Sequence, residues 1–160
     1  MNSFSRYKIA VAVLLPLVAA CGDDPVSPAT SFTATLSGAN EVPAVTTTAS
    51  GNATLSVSGA QITYTVNVIN LSNALVAHIH VAAAGANGPV RLNLCGTGAP
   101  EPPCTSGTAV LATGTNGTTF GDPAITFDSL LSAMRTGGAY VNVHTSANLG
   151  GEIRGQIAAN

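Results

Sequence analysis

Three histidines, His78, His80 and His144, have the residue type and the spacing to do inorganic chemistry. The first two stand one residue apart in Val76-Ala77-His78-Ile79-His80-Val81, which reads as a strand. Successive strand residues point to opposite faces, so Ala77, Ile79 and Val81 share one face and the two imidazoles the other, about 7 Å apart along the chain. In Tyr140-Val141-Asn142-Val143-His144 the valines lie on one face and Tyr140, Asn142 and His144 on the opposite one. Each strand therefore turns its aliphatic residues to the core and its histidines away from it. Three imidazoles with an open position suit zinc, and in an oxidising exterior they suit copper equally, because copper(II) tops the divalent affinity series. The plainer alternative is three polar residues on a wet sheet face, each making its own hydrogen bonds. A metal site requires the ring nitrogens to converge to within about 4 Å of one another, and the plainer alternative does not.

The elements that must hold these residues are strands. In Gln61 to Ile69, Ile62, Tyr64, Val66 and Val68 alternate with Thr63, Thr65 and Asn67, a period of two that buries one face. Ala53, Leu55 and Val57 alternate in the same way, and Ser58-Gly59-Ala60 between the two runs suits a hairpin turn. Further strands are expected at Phe32 to Leu36, Leu75 to Val81, Val90 to Leu94, Thr108 to Ala112, Ala139 to His144 and Glu152 to Ala158. About eight short strands at turn-rich spacing indicate an all-β antiparallel sandwich or barrel. One short helix interrupts them at Ser129 to Arg135, capped by Thr126 or Asp128 and ended by Gly137-Gly138, with Leu130, Leu131 and Met134 packed inward.

Composition narrows the function. Charged residues make up 8% of the chain, and five Lys and Arg face seven Asp and Glu, which leaves no basic surface for nucleic acid. With 160 residues the chain carries one core of ordinary size. Residues 1–20 read as an export signal: Arg6 and Lys8 precede an apolar run from Ile9 to Ala20 that is short for a bilayer span. Val18-Ala19-Ala20-Cys21 resembles the bacterial lipobox, so Cys21 is expected to receive a diacylglycerol and anchor the mature chain to a membrane of the cell envelope. Residues 21–31, rich in proline and polar side chains, then form a tether to the domain at 32–158. In an exported chain Cys95 and Cys104 are expected to form a disulfide across a segment too rich in Gly and Pro for helix or central strand.

Four ordered motifs carry a family resemblance. Ala39-Asn40-Glu41-Val42-Pro43, Ala77-His78-Ile79-His80 with Gly85-Ala86-Asn87-Gly88-Pro89-Val90, Tyr140-Val141-Asn142-Val143-His144-Thr145, and Gly151-Glu152-Ile153-Arg154-Gly155-Gln156-Ile157 resemble the CHRD domain over roughly Phe32 to Ala158. The resemblance implies an immunoglobulin-like sandwich. In chordin such modules belong to an extracellular antagonist of growth factors. More distantly, the order His-x-His, Val-x-Val-His and Gly-Gly-x-x-Arg-Gly is similar to copper/zinc superoxide dismutase. That likeness implies copper on His78, His80 and His144, with Arg154 near the position that guides an anionic substrate. The sequence lacks a fourth histidine to bridge to zinc, so any site implied is mononuclear.

Read from the residues alone, Glu152 and Arg154 share a face and either orient a ligand or water around an ion or form a surface ion pair, the second being favoured. Asn40-Glu41-Val42-Pro43 reads as a turn in which the Asn side chain satisfies backbone groups, and Gly85 to Pro89 as a tight turn. No Gly-x-Ser-x-Gly elbow, Cys/His pair or carboxylate dyad supports a hydrolase. The leading expectation is a lipid-anchored binding protein holding one copper or zinc ion. The alternatives are a metal-free module recognising protein or polysaccharide, and a redox enzyme related to superoxide dismutase.

Overall fold

A computed structural model describes residues 28–96, 101–116 and 124–160. The expected signal segment, Cys21 and most of the expected tether lie outside the described residues. Among the described residues nine strands are joined in one antiparallel sheet: β1 (Ser31–Ser37), β2 (Ser50–Ser58), β3 (Gln61–Leu71), β4 (Ala74–Val81), β5 (Val90–Cys95), β6 (Gly107–Asn116), β7 (Ala139–Thr145), β8 (Ile153–Gln156) and β9 (Ala158–Ala159). Their spatial order is β5-β4-β7-β8-β1-β2-β3-β6, with β9 paired to β1. The all-β class expected from the alternation holds.

The sheet curls until its two ends nearly meet, enclosing one core. Strand residues of period two fill it: β1 contributes Phe32, Ala34 and Leu36, and β3 contributes Ile62, Tyr64, Val66 and Val68, all buried, while the intervening threonines face outward. The seam between β5 and β6 is bridged by side chains rather than by a strand ladder. Asn116 Nδ2 donates to the Asn93 carbonyl at 2.9 Å, and the Tyr64 hydroxyl donates to the Leu94 carbonyl. Cys95 and Cys104 are disulfide-bonded, as expected, and fasten the end of β5 to the segment that leads into β6. Backbone bonds from Gly96 N to Pro102 O and from Thr105 N to Leu111 O extend that fastening.

The helix α1 (Phe127–Arg135) starts two residues earlier than its apolar pattern suggests. Thr126 is the cap, its hydroxyl accepting from Ser129 N at 3.1 Å, and Asp128 instead lies in the first turn, where its charge favours the helix dipole. Leu130, Leu131 and Met134 are buried against the sheet, so Met134 packs rather than ligates. The single strand expected at Glu152 to Ala158 is divided into β8 and β9 around Ile157, whose N–H bonds Ala139 O while its side chain enters the core. Ser31, placed at the end of the tether by composition, already pairs with Ser56 of β2.

Closing so short a loop in the unfolded chain gives the disulfide a stabilisation of about 2–3 kcal/mol in the chain-entropy model. Replacing Cys95 and Cys104 together by serine should lower the denaturant midpoint accordingly. An unchanged midpoint would show that the seam holds without the covalent tie.

Candidate metal centre

β4 and β7 are adjacent and antiparallel, and their register sets Val76 opposite His144, His78 opposite Asn142 and His80 opposite Tyr140. This register brings His144 beside the His78/His80 pair on the face turned from the apolar core. Ring centroids are 5.7 Å apart for His78 and His80, 5.2 Å for His78 and His144, and 5.7 Å for His80 and His144. One nitrogen from each ring lies within 4.8 Å of the others. This is somewhat wider than the 4 Å criterion. The centre of a triangle with sides no longer than 4.8 Å lies within about 2.8 Å of its corners, so imidazole–metal bonds of about 2.0–2.1 Å in that plane need the rings to close by at most about 0.7 Å.

The backbone orients two of the rings. His80 Nδ1 donates to the Gly88 carbonyl at 2.9 Å and His144 Nδ1 to the Leu149 carbonyl at 2.9 Å, which leaves the Nε2 lone pair of each facing inward. Both Nε2 atoms are buried with no hydrogen-bond partner, as is His78 Nδ1. An unpaired buried nitrogen is costly, and three together fit a cation that would share their lone pairs. Gly88 is required for this arrangement, because a Cβ there would lie 2.0 Å from the Val81 carbonyl oxygen.

The face is not wet. His80 is 6% exposed, and the neighbouring Tyr140 and Asn142 are buried. Two segments cover it: residues 38–43, beginning with a 3-10 turn at Gly38–Asn40, and residues 82–89. Arg154 of β8 fastens both. Its Nε donates to Glu41 Oε2 at 3.0 Å, Nη1 to the Ala86 carbonyl at 3.1 Å and Nη2 to Asn87 Oδ1 at 2.7 Å. Asn87 Nδ2 in turn donates to the Val42 carbonyl. The guanidinium lies 4.8 Å from the centre of the Tyr140 ring, and Tyr140 stacks on His80 with centroids 4.9 Å apart. The Tyr140 hydroxyl accepts from Gly88 N, tying the carbonyl that orients His80 to the same assembly.

The surface ion pair expected between Glu152 and Arg154 is replaced by two separate buried arrangements. Strand β8 begins at Ile153, and the 38–43 segment folds over it and supplies Glu41 as the arginine's partner. Glu152 instead accepts from Thr47 and Thr145 hydroxyls and from Asn148 Nδ2. Asn40 behaves as its turn position suggests, its amide donating to the Arg154 and Thr35 carbonyls. Glu41, the residue beside it, was legible only as part of a turn. A lone carboxylate next to Val-Pro carries no periodic signal that it pairs with an arginine 113 positions later.

Burial sets the protonation states. It lowers His78 to about 4, helped by the nearby His144 and His80. His80 is also lowered to about 4, chiefly by burial, with the Gly88 hydrogen bond opposing and His144 and Arg154 assisting. His144 is lowered by burial against the Leu149 hydrogen bond. All three are therefore neutral at pH 7, the form a metal requires. Burial raises Glu41 despite Arg154. Burial also acts to raise Glu152, but its three hydrogen bonds outweigh it and hold the carboxyl below the ordinary range.

The fold and the site together define an all-β, disulfide-bonded domain with three clustered histidines outside its apolar core, His80 buried and His78 and His144 partly buried. The chain belongs to the CHRD domain family, whose model matches residues 32–157. No curated protein and no solved structure matches the chain significantly. A CHRD domain and a disulfide are compatible with an extracellular or envelope protein, and among the described residues no helix is long and apolar enough to cross a membrane.

Two outcomes follow for the metal-free domain. A buried histidine that resists protonation stabilises the fold above its unfolded value near 6.5 and ceases to do so as the pH falls through about 4, because the unfolded chain binds the extra protons in that window. The melting temperature should drop between pH 7 and pH 4, and a His78/His80/His144→Gln triple variant should show a markedly flatter profile. Equal slopes would refute the assignment. Arg154→Met should cost about 3–5 kcal/mol by leaving Glu41 buried and unpaired. Adding Glu41→Gln should recover part of that loss in urea denaturation, and a double variant no more stable than the single would sink the pairing as the cause.

Proposed function

We propose that this protein is a lipid-anchored CHRD domain of the bacterial envelope that binds one metal ion, copper or zinc, through His78, His80 and His144. The observation that carries the reading is the set of three buried imidazole nitrogens with no partner, two of them aimed by carbonyls on the opposite ring nitrogen. Neutral imidazoles in this number suit copper(II) or zinc, and the bound ion would supply Lewis acidity or, for copper, a one-electron couple. The domain's own residues hold the rings, exclude bulk water and keep the nitrogens deprotonated. Anion steering by Arg154 has little support, since the guanidinium is 4% exposed and committed to Glu41, Ala86 and Asn87. This favours binding over a dismutase-like reaction. In this reading Cys21 carries the lipid and the tether spaces the domain from the membrane.

A second reading, a metal-free module for protein or polysaccharide, draws on a shallow hollow of about 390 Å³ on the outer face of β1, β2 and β3, lined by Ser31, Thr33, Thr54, Ser56, Thr63 and Thr65.

Isothermal titration of the mature domain with copper(II) should give one site, and His80→Ala should weaken it by at least about a hundredfold, as expected for loss of a ligand or its orienting partner. The variant should stay folded, because His80 lies outside the apolar core. Equal heats for both proteins would remove the site and leave the hydroxyl-lined face as the surviving reading.

A further inference from the structure

The ring nitrogens offered to an ion, His78 Nδ1, His80 Nε2 and His144 Nε2, are buried atoms without a partner, and each is a neutral donor. Among the described residues no carboxylate or thiolate joins their cluster. Glu41 is paired with Arg154, whose guanidinium lies against the Tyr140 ring that stacks on His80. Glu152 accepts from Thr47, Thr145 and Asn148. Asn142, opposite His78 across the β4–β7 ladder, is buried and uncharged. An ion entering here therefore meets lone pairs but no carboxylate of its own.

Charge and coordination number then decide which ion is held. The cost of burying a charge grows with its square, and here no anionic ligand offsets that cost for a divalent ion. Zinc in protein sites takes four ligands, the fourth often being water, and copper(II) favours a tetragonal set. The three nitrogens are closed to solvent beneath the 38–43 and 82–89 segments, so water has no direct path to a fourth position. Copper(I) carries a single charge and a filled d shell, and three nitrogens in a plane around it are a complete set. The triangle of nitrogens, with sides of at most 4.8 Å, supplies that plane.

We infer that the histidine cluster selects copper(I) over copper(II) and zinc, because His78, His80 and His144 offer three neutral donors with no counter-charge and no fourth ligand. The inference rests on the metal reading and names the charge and coordination number of the ion the site takes. It is tested on the mature chain carrying Cys21→Ser, so that no free thiol at that position competes for copper(I). The chain is titrated anaerobically with copper(I) against a chromophoric chelator, and separately with copper(II) and with zinc. Thiol reductants are left out so that the Cys95–Cys104 disulfide stays closed.

Copper(I) should be held at least about a hundredfold more tightly than copper(II), which corresponds to about 120 mV in the potential of the bound couple. Zinc should bind more weakly than copper(II). X-ray absorption at the copper edge should show three nitrogen neighbours and no further ligand. Asn142→Asp keeps the side chain's shape and sets a carboxylate across from His78, so it should narrow the preference for copper(I) at least about tenfold. The titrations without that substitution carry the test if the aspartate variant does not fold. Copper(II) or zinc bound through His80 as tightly as copper(I), a fourth ligand on copper(I), or a preference that the aspartate leaves unchanged overturns the selectivity and leaves the metal site standing. If His80→Ala alters the binding of none of the three ions, both readings fall.

Discussion

The ion pair between Arg154 and Glu41 is the constraint on which the rest of the site depends. A sheet has two faces, and in this domain both are covered around β4, β7 and β8: one by the apolar core, the other by two loop segments. Loops carry unpaired peptide groups and little apolar surface, so they do not cover a face on hydrophobic grounds. Arg154 supplies the donors that make it possible, reaching one segment through Glu41 and the other through Ala86 and Asn87. Removal of water from the imidazoles, and with it their neutrality, follows from that cover.

The distribution of charge has the same origin. Glu41, Arg91, Glu152 and Arg154 are buried, whereas Asp128 is exposed. Among the described residues much of the charge thus lies in the interior, and threonine, serine and asparagine keep the outside wet. Buried ions of this kind are weak sources of stability but strong determinants of geometry, because each one tolerates few arrangements of its partners.

The sequence was most legible where its period was simplest. Alternation in Gln61 to Ile69 and in the two histidine strands named the core face correctly, and parity separated the imidazoles from it. Parity could not say that the second face would be covered, since that depends on loops with no period. Hence the histidines were readable as a set, whereas their burial, and the roles of Glu41, Asn142 and Tyr140, were not. Arg154 and Glu152 lie two residues apart and resemble a local pair. Their real partners come from distant segments, Glu41 and Thr47 for example, and only register and loop closure reveal them. The helix boundary slipped for a smaller reason: Phe127 and Asp128 precede the apolar stripe but still make helical backbone bonds from the Thr126 cap.

Strand β8, near the carboxyl end, lies in the middle of the sheet between β7 and β1. Everything on the β7 side belongs to one half of the ladder and everything on the β1 side to the other, so the strand ladder between the halves runs through four residues, Ile153–Gln156, with the β5/β6 seam closed by side chains and the disulfide. The same four include the arginine that closes the cover. Long-range pairing of this kind delays assembly until nearly the whole polypeptide is present. Until β8 is in place the imidazoles are separate, solvated groups, and the last strands of the sheet gather and cover them.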